Sequence, residues 1–279
     1  MKTFRYMTIA ALSLLMAACS SNDDITPGQV STTGRGIPFT ATVSRDGNTT
    51  RTVLTEDATN GTIAAAWETG DELALVYQVG GVTKVTKATV TAQSDKTATI
   101  TASLDEGVTE GTAVTLTYPY DAVNSEDPGD PDYGKVKYDE LASQDGTLAS
   151  IADYYAICQG DGTLTIASGA ASLKADVTMA SKMAIWKLSL TDGTNAIKAT
   201  QVNIVKGEDE LMAIVMPEGG GTFSEFYVAV PAVSNGTINI SAATSEGDYT
   251  YTKTGVTLEA GKYYQSAVTM EAEVFVPTE

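Results

Sequence analysis

The 279 residues carry 17 Lys or Arg against 35 Asp or Glu, for a formal net charge of −18 and a pI of about 4.2. That length suits one large or two ordinary domains with a real core, and so acidic a surface argues against binding nucleic acid or a bare anionic membrane. There is no histidine, which removes Ser-His-Asp and Cys-His catalysis and the usual zinc sites.

The first stretch, "MKTFRYMTIAALSLLMAAC", has the order of an export signal. Lys2 and Arg5 form its positive end, and the apolar run 7–18 is too short to span a bilayer comfortably. Residues 1–18 are therefore expected to be a signal peptide. Ala17 and Ala18 ahead of Cys19 resemble the lipobox of bacterial lipoproteins, with Met16 where that pattern prefers Leu. Cys19 would then carry lipid and hold the mature chain in a membrane; the other reading is a plain secretory signal. Residues 19–36, with "SSNDD" and "ITPGQVSTTG", read as a flexible tether too polar to fold. Acidic residues soon after such a cysteine resemble the surface-export signal of Bacteroidetes lipoproteins. Cys158, the only other cysteine, lies in an apolar run and reads as a small buried hydrophobe.

Next comes "GRGIPFTATVSRDGNTTRTVL" (34–54), which holds Arg35, Arg45 and Arg51. Arg5 is the only other arginine, and none occurs from Thr52 to Glu279. Between Arg35 and Arg45, Ile37, Phe39, Ala41 and Val43 alternate with Pro38, Thr40 and Thr42, the pattern of a strand with one apolar face. Further short runs rich in Thr, Val, Ile and Tyr follow at 72–77, 97–103, 113–118, 184–190, 226–231, 237–242 and 263–270. In the fourth of these, Trp186, Leu188 and Leu190 share one face, while Lys187 and Ser189 share the other. "SNGT" (234–237) signals a tight hairpin, and "TDGTN" (191–195) and "EGGGT" (218–222) signal turns. The segment 138–156 offers at most one short helix. A polar break near "QGDGTLTIASGA" (159–170) divides the strands. The fold class expected is all-β: two tandem antiparallel β-sandwich domains, 37–160 and 161–279.

Chemistry is sparse. "GGG" (219–221) lacks the Lys-Ser/Thr of a phosphate loop, and paired carboxylates are too common here to mark a glycosidase. No enzyme activity and no cofactor are expected. Asp127, Asp130 and Asp132 are candidate calcium ligands, but they depart from the order of an EF-hand loop; the competing reading is a solvated acidic loop, with no metal site. Paired tyrosines at 118/120, 154/155, 249/251 and 263/264 are either sheet residues or a surface that stacks on sugar rings.

"TRTVL…AAAWETGDELALVY" (50–77) resembles the opening of the Bacteroidetes fimbrillin-like proteins, the major and minor subunits of type V pili. The shared features are Thr-Arg-Thr, then Trp67-x-x-Gly70-Asp71 leading into an apolar strand. Trp67 is expected to plug the first domain, and Gly70-Asp71 to turn the chain. "FYVAVPA" and "LEAGKYYQSAVTM" (258–270) resemble the closing strands of that family. The resemblance implies transthyretin-like sandwiches, a lipidated precursor exported to the outer membrane and cell surface, and removal of an N-terminal segment by an arginine-specific protease. Subunits then assemble into a fimbria by strand exchange. Arg35, Arg45 and Arg51 are the processing candidates. A cut after either of the last two removes the strand carrying Ile37, Phe39, Ala41 and Val43, and a neighbouring subunit's strand fills the groove. Val268, Met270, Ala272, Val274 and Val276 alternate as a donor strand would, or else form the last strand and a tail. The rival reading is a monomeric surface lipoprotein that binds a glycan or host ligand.

Overall fold

Short alternating apolar runs form strands because one face of each must leave water while the backbone pairs with its neighbours. The computed structural model describes residues 36–45, 54–57, 62–64, 66–94, 96–138 and 142–273. The signal peptide, most of the tether, Cys19, Arg35, Arg51, Val274 and Val276 lie outside these residues. The strands of the first half are β1 (Ile37–Arg45), β2 (Thr55–Asp57), β3 (Thr62–Ala64), β4 (Glu72–Val79), β5 (Val82–Gln93), β6 (Thr97–Leu104), β7 (Ala113–Tyr118) and β8 (Ser143–Gln144). After the short helix α1 (Leu148–Ser150) come β9 (Cys158–Ala167), β10 (Ala170–Leu173) and β11 (Val177–Ser181). The second half holds β12 (Met183–Thr191), β13 (Gln201–Lys206), β14 (Glu210–Val215), β15 (Glu225–Pro231), β16 (Val233–Thr244), β17 (Gly247–Leu258), β18 (Tyr263–Thr269) and β19 (Glu271–Ala272). The fold is all-β, and each strand run expected between 37 and 270 is present. Among the described residues the one α-helix falls within 138–156, apart from short 3-10 turns at Tyr120–Ala122 and Glu218–Gly220: Thr147 caps α1 by accepting from the Ser150 amide, and a single wide turn, Ile151–Tyr155, continues it.

In the first sheet the pairing runs β6–β5–β4–β7–β9, then to β10 and β11. β1 pairs antiparallel with β6, from Ile37 opposite Leu104 to Ser44 opposite Thr97. On its other side it runs parallel to β10 and β11. The hydrogen-bonded circuit therefore closes on itself, and β1 is the strand that closes it. Inside are Phe39, Val43, Trp67, Leu73, Leu75, Ile100, Leu116 and Leu164.

The expected boundary at 160/161 falls inside β9, so the first sheet continues to Ser181. The polar-looking "QGDG" is strand because Gly160 and Gly162 make room for neighbours. A Cβ on Gly160 would stand 2.5 Å from Val177 Cγ1, and one on Gly162 would stand 2.8 Å from Leu173 Cδ2. Glycine here marks close packing rather than a break.

Two sheets, β15–β12–β18 and β19–β17–β16–β13–β14–β8, face each other in the second half. Trp186, Leu188 and Leu190 of β12 point into the core between them, as their alternation requires. "SNGT" is not a hairpin: β16 runs through it and is bulged against β17, with Asn235 at φ 49°. The same left-handed tolerance that suits a turn serves the bulge. The outer face of the three-stranded sheet is also covered. Met183, Ile185 and Ala229 pack there with Leu54, Ile63 and Ile157. Gln144 fastens this layer, donating to the Ala229 carbonyl at 2.7 Å and accepting from its amide at 2.9 Å.

Candidate functional site

The row Ile37, Phe39, Ala41, Val43 is the inward face of β1. Phe39, Ala41 and Val43 are buried and Ile37 packs against the same core. Burying these three side chains stabilises the closed sheet by roughly 4–7 kcal/mol on area grounds. Taking β1 away would leave the edges of β6 and of β10 and β11 without their partner, around an apolar slot. Such a slot would expose backbone donors and acceptors on both sides and apolar hollows at alternate positions.

Arg45 continues the inward row and is only 8% exposed. Its guanidinium carbon lies 3.4 Å from the centroid of the Trp67 ring and 4.6 Å from that of Tyr118. The two rings meet edge to face at 5.6 Å. None of the three guanidinium nitrogens has a hydrogen-bond partner among the described residues. Trp67 is buried as its motif implies. Gly70 takes φ 99°, and Asp71 braces the turn by accepting from the Glu68 amide at 2.9 Å. Of the three processing candidates, only Arg45 lies among the described residues, and its side chain is sequestered. A protease would have to draw both its guanidinium and the end of β1 out of the fold. That burial had a signal in the sequence, since 37, 39, 41, 43 and 45 are one alternating series.

Sequence reasoning missed a polar clamp downstream of Arg51. Glu56 of β2 reaches the outer face of the three-stranded sheet and accepts hydrogen bonds from the hydroxyls of Tyr227 and Tyr263, the latter at 2.6 Å. Lys187 Nζ stands 3.3 Å from one Glu56 oxygen and 3.1 Å from Glu225, while Gln265 donates to Glu56 at 3.1 Å. The Glu56 side chain is 16% exposed. The bonds from Tyr227 and Tyr263 hold its carboxyl below its ordinary range against the opposing effect of burial. Burial, together with the carboxylate they bond, pushes both tyrosines up. This clamp ties the β2–β3 hairpin to the second half of the chain.

The donor-strand residues divide. Val268 and Met270 are buried in the core of the second half, while Ala272 is exposed on β19, which pairs with β17. The chain crosses from one sheet to the other at Met270, so lending 268–270 to a neighbour would uncover its own core. Asp127 and Asp130 accept from the amides of Gly129 and Asp132, and Asp132 pairs with Lys135 at 2.8 Å. Among the described residues no group of three acidic, Cys or His side chains is placed to hold a metal. Tyr118 is buried, Tyr263 is in the clamp, and Tyr249, Tyr251 and Tyr264 pack on the second core. Tyr154 is 52% exposed, but its ring meets that of Tyr155 at 65°, which does not make a flat platform. Cys158 is buried in the first core.

No family model and no curated protein matches the chain. Among solved structures it is similar to a fimbrial protein from Bacteroides ovatus, at TM-score 0.39 and 15% identity, over 84% of this chain and 48% of that one. The chain thus spans about half the length of that protein. It is also similar to a fimbrial assembly protein from Parabacteroides distasonis, at TM-score 0.40 and 10% identity, over 83% and 90% of the two chains.

Proposed function

We propose that this chain is a non-catalytic, fimbrillin-type subunit of a cell-surface fimbria. In this reading it is exported as a lipoprotein held in the outer membrane through Cys19, then cut by an arginine-specific protease. The observation that carries the reading is the place of β1, the first strand described, which closes the first sheet and is flanked by arginines. A cut after Arg51 would sever β1 and everything upstream from the folded body, lipid included. The clamp at Glu56 would keep the new N-terminal hairpin in place. Arg45 is disfavoured as the cleaved residue by its burial. A strand from a neighbouring subunit then completes the sheet. Because donor and acceptor surfaces differ, the contact does not close on itself and builds a filament.

The test is the intact mass and N-terminal sequence of protein sheared from its native cells. The expected result is a start at Thr52 in high-molecular-weight material. A lipid-modified Cys19 as the sole N-terminus, on a monomer, would overturn the reading in favour of an anchored surface lipoprotein.

A further inference from the structure

Arg45 is held in a way that makes the end of the β1 groove selective. A buried guanidinium without hydrogen bonds is costly, and what offsets the cost here is contact with two aromatic rings. Its carbon is 3.4 Å from the Trp67 centroid and 4.6 Å from the Tyr118 centroid. The indole nitrogen of Trp67 is buried and has no hydrogen-bond partner among the described residues. The slot therefore presents ring faces, whose quadrupole attracts a cation and repels a carboxylate. A planar guanidinium stacks there better than the compact, strongly hydrated ammonium of lysine.

We propose that the Trp67–Tyr118 slot determines which strand replaces β1. The replacement is an extended segment of a partner chain with apolar residues at alternate inward positions and an arginine at the register of Arg45. This rests on the strand-replacement reading above. The chain's own closing segment lacks that chemistry: from Tyr263 to Glu279 there is no lysine or arginine. Laid along the row Ile37 to Arg45, the series Val268, Met270, Ala272, Val274, Val276 would bring Val276 to the slot. Val268 and Met270 are in any case part of the second core. On this proposal the occupant brings an arginine to the slot, which the segment Val268–Val276 does not.

The test uses the full-length protein cut with an arginine-specific protease and labelled synthetic peptides that compete for the groove. The first peptide is Gly36–Arg45, the second is the same with Arg45→Gln, and the third is Val268–Val276. The first is expected to exchange into the groove. The second is expected to bind about 10- to 30-fold more weakly, the scale of a desolvated cation–π contact. The third is expected not to bind measurably. In a Tyr118→Leu acceptor the gap between the first two peptides is expected to narrow. Equal binding of the Arg and Gln peptides would overturn the slot's role, and tight binding of Val268–Val276 would make the chain's own tail the occupant. If no peptide enters, strand replacement itself fails, and the slot's role in it fails too.

Discussion

The two halves of the molecule end their sheets in opposite ways. In the first half, β1 closes a circuit of strands and is joined to the rest of the fold through one connection, after Arg45. Its loss would leave β6 and β11 in place with a shaped vacancy between them. In the second half, the closing strands β18 and β19 pass from one sheet to the other, and Val268 and Met270 on that path are core. Their loss would unmake the sandwich they belong to. The difference is one of placement: β1 is one member of a ring, so its loss would open a slot between two strand edges, whereas the path β18–β19 stitches two layers together. Under the strand-replacement proposal the first half would be the acceptor, and the second would be a poor lender of its last buried residues.

The largest effects should come from substitutions that test this asymmetry. Phe39→Ala is expected to lower the stability of the intact chain by about 3–5 kcal/mol, and Met270→Ala by about 2–5 kcal/mol, measured by chemical denaturation. After arginine-specific cleavage and removal of β1, the Phe39→Ala penalty should vanish while the Met270→Ala penalty persists. Equal persistence of both would mean that β1 stays bound as an integral part of the fold. A smaller effect is expected at Gly160, where the new methyl group would meet Val177 Cγ1 at 2.5 Å and the Thr178 carbonyl at 2.9 Å. Gly160→Ala should cost about 1–3 kcal/mol from overpacking. An unchanged denaturation midpoint would show that β9 and β11 separate more easily than their pairing implies.

These residues also show what the sequence discloses and what it withholds. Alternation over two to eight positions exposed β1, β12 and the inward face of each, because a strand's side-chain period is local. The same period would have found Arg45 and Gly160, each of which continues an inward row. From the sequence alone Arg45 reads as a protease site and Gly160 as part of the polar break at 159–170, and neither reading asks whether the residue continues an inward row. "SNGT" misled for a related reason: left-handed backbone is needed by a bulge as well as by a hairpin. Glu56 was not legible at all. Its partners Lys187, Tyr227 and Tyr263 lie 131, 171 and 207 positions away. Only the packing of β2 on the three-stranded sheet brings them together.

The smallest effect expected is at that clamp, and it bears on the comparison because the clamp fixes to the second half the hairpin that follows Arg51. Glu56→Gln keeps the shape and removes the charge, so it should cost about 1–2 kcal/mol at neutral pH, after allowing for partial exposure. The pH dependence follows from the direction of the shift. Glu56 ionises more readily in the folded chain than its ordinary value of 4.5, so its contribution is fully present above that value. It is lost as the pH falls through the lower, folded one. The stability difference between wild type and Glu56→Gln should therefore be flat from about pH 6 to 8 and shrink below pH 4.5. Hydrogen exchange at 54–64 in the cleaved protein gives a second readout. Protection there should drop in Glu56→Gln while protection of the second core is unchanged. A difference that stays constant down to pH 3 would mean that hydrogen bonding independent of charge holds the hairpin. Unchanged exchange would mean that the apolar contacts of Leu54 and Ile63 with Met183, Ile185 and Ala229 suffice to hold the hairpin on the second half without the clamp.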